Sequence, residues 1–145
     1  MIVILSALLA FEVWGGEVHS QKKSQLSIEP LIRALIVVES HSNDNAVGDK
    51  QMRDKAYGCL QIRKPCVEDV NRRCGTAYTA EATLGNRALS IWICQKYLEM
   101  YATEKQLGRK PTFEDLARIW NGGPSGWKSR RTEVYWQKVC RVLEK

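Results

Sequence analysis

A glutamate, Glu39, occupies a position of the first predicted helix where an apolar side chain is expected. The preceding residues repeat apolar side chains at the i, i+3, i+4, i+7 spacing of one helix face, namely Ile28, Leu31, Ile32, Leu35 and Ile36. At about 100° per residue, position 39 continues that face. Burial disfavours the charged form of a carboxyl group, so its pKa rises towards the range of a general acid. Glu39 is therefore a candidate proton donor; the alternative is a helix-end glutamate that turns out to water.

Polar side chains that suit the same chemistry follow later in the chain. They are Ser40 and His41 directly after the glutamate, a loop with Asp44, Asp49 and Asp54, the segment Tyr57 to Gln61, Asn121 before Gly-Gly-Pro, and Tyr135 near the C-terminus. Cleavage of a glycosidic bond needs a protonated carboxyl group at the leaving oxygen, and amides and hydroxyls that orient the sugars. Hydrolysis also needs a base that activates water, or a carboxylate nucleophile. The sequence thus supplies the parts of a glycosidase.

The elements that must position these side chains are predicted to be helices. Periodicity and end signals predict helices over residues 27–39, with Ser27 as N-cap, and over 65–75, 83–104, 112–121 and 132–143. In the third helix we expect Leu84, Ala88, Ile91, Trp92, Leu98 and Tyr101 to face inward. A short hairpin within residues 43–60 is left open. The predicted fold class is all-α.

The N-terminus reads as a targeting segment. Residues 2–11 form a short apolar run, and Val18 and Ser20 provide small residues before a cleavage site. This pattern predicts a signal peptide over residues 1–20 and one mature domain over 21–145. The run is too short to span a bilayer, and nothing later resembles a membrane span. We expect a secreted, extracellular monomer (periplasmic in a bacterium) with no stable membrane insertion.

The charge balance favours an anionic partner. The chain has 22 basic and 16 acidic residues, and removal of residues 1–20 would take away Glu12 and Glu17, raising the formal net charge from +6 to +8. A basic secreted domain of this size suits a bacterial wall, a membrane surface or nucleic acid. The basic residues are scattered and accompany no finger or aromatic RNA-binding signature, so we expect no nucleic-acid partner.

The numbers of cysteine and histidine residues limit which disulfides and metal sites the chain can form. Five cysteines in an exported chain predict two disulfides and one remaining thiol. Cys66 and Cys74 fall on one predicted helix about 12 Å apart, too far to pair with each other. The mature chain keeps a single histidine, His41, which excludes multi-histidine zinc sites. The sequence predicts no metal and no cofactor.

Four motifs resemble the goose-type lysozyme and soluble lytic transglycosylase superfamily. That family is marked by a helix ending in Glu-Ser, a Gly-Leu-Met-Gln stretch, an Ala-x-x-Tyr-Asn-x-Gly helix end and a late tyrosine. The corresponding residues are Glu39-Ser40, Gly58-Cys59-Leu60-Gln61, Ala117-Arg118-Ile119-Trp120-Asn121-Gly122-Gly123 and Tyr135. The motifs occur in the family's order, and the resemblance covers about residues 26–143. Cys59 replaces the methionine, and Trp120 replaces the tyrosine before the asparagine.

The resemblance implies a helical, lysozyme-like domain that cleaves the β-1,4 bond between N-acetylmuramic acid and N-acetylglucosamine of bacterial peptidoglycan. It implies Glu39 as the catalytic acid, and Asp49, which follows a glycine, as the residue that positions the hydrolytic water. Ser40, Tyr57, Gln61, Asn121 and Tyr135 would bind the substrate. A second goose-type aspartate, after the glutamine, is replaced by Arg63.

Other interpretations stay open. A lytic transglycosylase needs only the single acid, because the muramic acid's own 6-hydroxyl attacks and leaves a 1,6-anhydro end. A non-catalytic cationic wall-binding or antimicrobial protein would depend on charge alone, and a helical signalling domain would ignore glycan. Among single residues, Asp49 and Asp54 also fit turn positions, Gln61 also fits a bond to buried backbone groups, and Trp127 is the candidate for an exposed stacking surface.

Overall fold

The structure is a computed structural model that describes residues 27–145, so the predicted signal peptide lies outside the described residues. The helices are α1 (Glu29–Ser40), α2 (Lys64–Cys74), α3 (Arg87–Tyr101), α4 (Glu104–Leu107), α5 (Phe113–Gly122) and α6 (Glu133–Leu143), and the strands are β1 (Val47–Gly48) and β2 (Ala56–Tyr57). Short 3-10 turns cover Glu81–Thr83, Gly126–Lys128 and Arg130–Thr132. The prediction of a mainly helical fold with a small hairpin is confirmed.

Helix α1 carries the buried stripe that the sequence predicted. Leu31 and Leu35 are fully buried, and the helix packs mainly against α6 and also against α5. Pro30 lies in the first turn, where its missing N–H costs nothing. Ile28, rather than the predicted Ser27, precedes the helix, and it makes no side-chain cap. The helix ends at Ser40. His41 follows in a left-handed backbone conformation, and its N–H donates to the Val37 carbonyl in the last turn.

The hairpin and the turn that follows it pack against the end of α1. Val47 pairs with Tyr57 in an antiparallel register, and Tyr57 forms a second bridge with Ile62. The buried Ser40 hydroxyl donates to the Cys59 carbonyl at 2.8 Å, which ties the last turn of α1 to this segment. The hairpin is therefore fixed next to the helix end that carries Glu39.

The single helix predicted over 83–104 is wrong, because the chain breaks twice there. Asn86 caps α3 by accepting from the Leu89 amide, so the helix begins at Arg87 and Leu84 does not belong to it. Thr103 caps the separate α4 in the same way. The buried residues of α3 are Ser90, Ile93, Cys94, Tyr97 and Leu98, whereas Leu84 and Ala88 are exposed.

The prediction of two disulfides is also wrong for the structure. Cys59, Cys66, Cys74, Cys94 and Cys140 are all free thiols. Cys59 and Cys94 are fully buried in the apolar core, where a cysteine packs as a small hydrophobic side chain. Cys66 and Cys74 lie on α2, as expected, and do not pair. Packing alone, without a covalent link, joins the described helices.

Helix α5 and the loop after it form the other side of the molecule. Helix α5 begins with a capping box: the Thr112 hydroxyl accepts from the Asp115 amide, and the Asp115 carboxylate accepts from the Thr112 amide. The helix ends at Gly122, and the chain folds back onto it before α6 begins. None of the helices within residues 27–145 has the length and hydropathy needed to cross a bilayer.

Candidate active site

The centre of the candidate site is a hydrogen bond between Glu39 and Tyr135. Glu39 lies in the last turn of α1, and Tyr135 lies in the first turn of α6, 96 residues later. The packing of α1 against α6 brings the two side chains together, and the buried Tyr135 hydroxyl donates to Glu39 Oε1 at 2.6 Å. Glu39 itself is only partly buried.

Burial governs the protonation of Glu39. Loss of hydration raises the pKa of its carboxyl group, and this effect exceeds the opposing effect of hydrogen bonds from Tyr135 and Trp120. The positive charges of Arg63 and Lys138 also lower the pKa without cancelling the rise. The net result is a carboxyl group that holds its proton to a higher pH than an ordinary glutamate. A group of this kind can act as a general acid.

The groups beneath Glu39 remain neutral. Burial, followed by the neighbouring Glu39 charge, raises the pKa of Tyr135 far above its usual value, so its hydroxyl stays a donor. Cys94 is fully buried nearby, and desolvation raises the pKa of its thiol well above normal. A neutral thiol in this position fills space and is not a nucleophile. The carboxyl group is the acid that this part of the fold offers.

Asp49 lies in the hairpin and forms an ion pair with Arg63. It follows Gly48 directly and has a left-handed backbone with φ of 48°. The Arg63 guanidinium donates to the Asp49 carboxylate and, through Nη1, to the Asp54 carbonyl at 2.8 Å. Arg63 thus joins the hairpin connection to the residue that immediately precedes α2. The ion pair holds the Asp49 carboxylate in one orientation, but it also occupies that carboxylate with the Arg63 guanidinium.

Gln61 and Tyr57 lie on the same side as Asp49, but their polar groups face protein atoms. The Gln61 amide donates to the Gly58 carbonyl at 3.0 Å and to the Ala46 carbonyl at 3.4 Å. A Cβ at position 48 would lie 2.0 Å from the Gln61 side-chain oxygen, so any larger residue there would displace the Gln61 side chain. Burial and the adjacent Glu81 carboxylate raise the pKa of Tyr57.

A groove of about 650 Å³ begins beside Tyr57 and runs between the hairpin, α2 and the segment before α3. Its lining combines aromatic, amide and charged side chains, including Tyr78, Asn71, Lys64 and Glu81. Sugar sites typically use this mixture of flat apolar rings and hydrogen-bonding groups.

Ser40 and Asn121 occupy different settings. The Ser40 hydroxyl is buried and bonds the Ile36 and Cys59 carbonyls, so it holds backbone together. Asn121 is exposed at the end of α5, next to Trp120. The structure therefore brings Glu39 and Tyr135 into contact, with Trp120 beside them. It places Asn121 at the rim and leaves the Ser40 hydroxyl inside.

Three residues at the site were not among the predicted set, namely Trp120, Arg63 and Lys138. Trp120 directly precedes Asn121 in the motif, where it was noted only as the replacement of the family tyrosine. Lys138 follows Tyr135 by three positions, which is about one helical turn. Once Tyr135 is assigned to the site, this spacing predicts that Lys138 lies on the same face of the helix. Arg63 was noted only as the replacement of an aspartate.

Within residues 27–145, no group of three or more His, Cys, Asp or Glu side chains is arranged to hold a metal ion.

Comparisons with known proteins define the fold. No protein-family model matches the chain, and no curated protein matches it. Solved structures do match. A structure of Meretrix lusoria lysozyme in complex with Aeromonas hydrophila PliI is similar with a TM-score of 0.67 and 23% identity over 79% of this chain and 88% of that one. An inhibitor-bound lysozyme from Meretrix lusoria gives the same values.

The lysozyme of Tapes japonica is similar with a TM-score of 0.64 and 22% identity, over 77% of this chain and 86% of that one. The chain therefore has a lysozyme-like fold, which confirms the fold that the resemblance implied.

The raised pKa of Glu39 predicts a specific pH dependence of stability. The folded state binds the Glu39 proton more tightly than the unfolded state, so wild type loses stability as the pH rises from about 4.5 through the folded pKa. Glu39→Gln has no proton to lose and escapes this penalty. We expect the unfolding free energy of Glu39→Gln, relative to wild type, to increase between pH 4 and pH 8, as measured by urea unfolding. Glu29→Gln, an exposed change on the same helix, is the control. A relative stability that does not change with pH would contradict a raised pKa.

Proposed function

We propose that the protein is a glycoside hydrolase of the lysozyme type that cleaves the β-1,4 bond between N-acetylmuramic acid and N-acetylglucosamine in bacterial peptidoglycan. The observation that carries the proposal is the partly buried Glu39, hydrogen-bonded by Tyr135 at 2.6 Å, at the end of a helix in a lysozyme-like fold. A partly buried carboxyl group with a raised pKa is suited to protonate a leaving sugar oxygen.

The direction of the Tyr135 bond favours one oxygen of Glu39 as the donor. The tyrosine hydroxyl donates to Oε1, so the proton of the neutral carboxyl group belongs on Oε2. Oε2 is then free to donate to the glycosidic oxygen. When the proton leaves, the new carboxylate already accepts a bond from Tyr135 and lies near the positive charges of Arg63 and Lys138. These groups stabilise the charge that develops in the transition state.

The second step of the proposed reaction uses Asp49 and water. Asp49 is the carboxylate of the hairpin, and Arg63 fixes its orientation. In this role it positions the water that attacks the sugar, while Tyr57 and Asn121 contact the substrate. Ser40 and Gln61 act indirectly, because their polar groups hold the backbone of the hairpin segment in place. The alternative is a lytic transglycosylase, in which the muramic acid 6-hydroxyl attacks. The engagement of Asp49 with Arg63 supports this alternative, because it occupies the carboxylate that hydrolysis would use.

The remaining expectations belong to the same proposal. Residues 1–20 act as a signal peptide, residues 21–145 form the catalytic domain, and the monomer works outside the cell or in a periplasm on peptidoglycan. The basic charge of the chain suits that anionic polymer. The same charge supports a second candidate function, a non-catalytic cationic wall-binding or antimicrobial protein.

Replacement of the acid separates these functions. We expect Glu39→Gln to clear suspensions of bacterial cell walls about 10²–10⁴-fold more slowly than wild type, because the amide cannot supply the proton. Glu29→Gln, the same change on the exposed face of α1, should clear them at the wild-type rate. Equal clearing by wild type and Glu39→Gln would contradict the proposed enzyme. Mass spectrometry of the products then distinguishes the two reactions, since hydrolysis leaves reducing ends and transglycosylation leaves 1,6-anhydro ends.

The charge of Arg63 should be visible in the pH profile of that activity. The acid must be protonated to work, so activity falls as the pH rises through the pKa of Glu39. Arg63 lowers that pKa, and Arg63→Met should therefore move the alkaline limb of the profile to higher pH, whatever its effect on the maximum rate. Arg72→Met, which removes an exposed ion-paired arginine from α2, is the matched control. An unmoved limb in Arg63→Met would show that Arg63 does not act on the acid.

A further inference from the structure

The segment that runs from the α5–α6 loop into α6 presents a concentration of positive charge. Four exposed cations, Lys128, Arg130, Arg131 and Lys138, lie within eleven residues and are called the cationic strip below. Within residues 27–145, none of their side chains forms an ion pair. The acidic side chain of this segment is Glu133 alone, so the strip keeps a net positive charge. Many other cations of the fold, such as Arg63, Arg109 and Arg118, are paired with carboxylates.

The backbone that carries the strip is tightly fixed. Gly126 packs against α5 so closely that a Cβ would lie 2.0 Å from the Arg118 carbonyl oxygen. The Arg118 guanidinium donates to the Ser129 carbonyl at 3.1 Å and to the Thr132 hydroxyl at 3.0 Å. The buried Thr132 hydroxyl bonds the Gly126 carbonyl at 2.7 Å. Lys128, Arg130 and Arg131 therefore project from a rigid loop and Lys138 from α6, which lowers the entropy lost when they bind a ligand.

The strip also lies next to the candidate active site. Its loop joins the end of α5, with Trp120 and Asn121, to the start of α6, with Tyr135. Gly122 and Thr132 pack together at the base of the loop, since a Cβ at position 122 would lie 2.5 Å from the Thr132 methyl group. Lys138 follows Tyr135 by one helical turn, and its charge acts on Glu39. A polymer bound across Glu39 would pass these cations.

Lys128 is further oriented by an aromatic ring. Its ammonium group lies 4.6 Å from the centre of the Trp127 ring, a cation–π arrangement. Trp127 is partly buried and packs against the core, so the ring is a fixed platform rather than a mobile side chain. The predicted exposed stacking surface is thus partly covered by a cation. The surface is better suited to anionic groups than to a neutral sugar face.

Peptidoglycan carries carboxylates on the short peptides attached to its muramic acid residues, and neutral sugars elsewhere along the strand. We propose that the cationic strip is a binding site for the carboxylates of these peptides, and that it selects peptide-bearing glycan over bare glycan. The inference rests on the proposed function, because it assumes that a glycan strand lies across Glu39. Exposed ion pairs are individually weak, so several cations on one rigid loop are needed for a measurable preference.

A binding experiment tests this site separately from catalysis. All proteins carry Glu39→Gln so that the glycan is not cut, and one variant adds Lys128→Gln, Arg130→Gln and Arg131→Gln. The matched control adds Arg73→Gln, Lys110→Gln and Lys145→Gln, which removes equal charge from exposed positions outside the strip. Affinity is measured by sedimentation with peptidoglycan freed of phosphate polymers, and with the same glycan after enzymatic removal of its peptides. Melting temperatures verify that both variants are folded.

We expect the strip variant to bind peptide-bearing glycan roughly tenfold more weakly than the parent at low salt, and the control variant less than threefold more weakly. The difference should shrink at high salt and on peptide-free glycan. Equal losses in the strip and control variants would overturn the proposal, since they would reflect general charge. Binding to a glycerol-phosphate polymer is measured in the same way. A loss of affinity in the strip variant that occurs with this polymer and not with peptide-bearing glycan would also overturn the proposal. The proposed enzyme fails on a different result, equal wall clearing by wild type and the single Glu39→Gln variant.

Discussion

A carboxyl group in the last turn of an otherwise apolar helix face imposes the main constraint on this fold. Burying a glutamate costs free energy unless it is protonated or paired. The structure meets that cost with one strong bond from Tyr135, which requires the start of α6 to lie against the end of α1. The helix packing and the chemistry of the site are therefore the same interaction. The pKa of Glu39 is raised because α1 is a core helix, which buries the carboxyl group.

The environment of Glu39 is asymmetric in a way that suits a proton donor. Desolvation by the surrounding packing favours the protonated form of Glu39, and the buried Cys94 thiol nearby stays neutral. The Tyr135 hydrogen bond favours the carboxylate. Arg63 and Lys138 lie within electrostatic range, and they favour the carboxylate that remains after proton transfer. A site with only the first feature would hold its proton too tightly. A site with only the second would lose it before the substrate arrived.

Much of the fold could be predicted from the sequence because its signals are local. The apolar stripe of α1, the Thr112 capping box and the Gly75 end of α2 each depend on a few neighbouring residues, and each is present. The contact between Glu39 and Tyr135 is not local, and only the order of the motifs suggested it. Trp120 also lies against the acid, but in the sequence it is marked only by its replacement of the family tyrosine before Asn121.

The errors have physical reasons as well. Gly85 and Asn86 stop the 3-10 turn and cap a new helix, which a periodicity argument over 83–104 overlooks. The disulfide prediction followed from cysteine number and expected export, whereas Cys59 and Cys94 pack as core side chains. The Ser40 and Gln61 polar groups bond backbone carbonyls, a role that sequence cannot distinguish from sugar binding.

The most direct measurement is an NMR titration of the Glu39 side chain in the wild-type protein, with the same titration in Tyr135→Phe. The account predicts a wild-type pKa above the ordinary value of 4.5, because desolvation exceeds the opposing effects. It also predicts a higher pKa still in Tyr135→Phe, where the bond that favours the carboxylate is lost. A wild-type pKa at or below 4.5, unchanged by the loss of the tyrosine hydroxyl, would contradict the account.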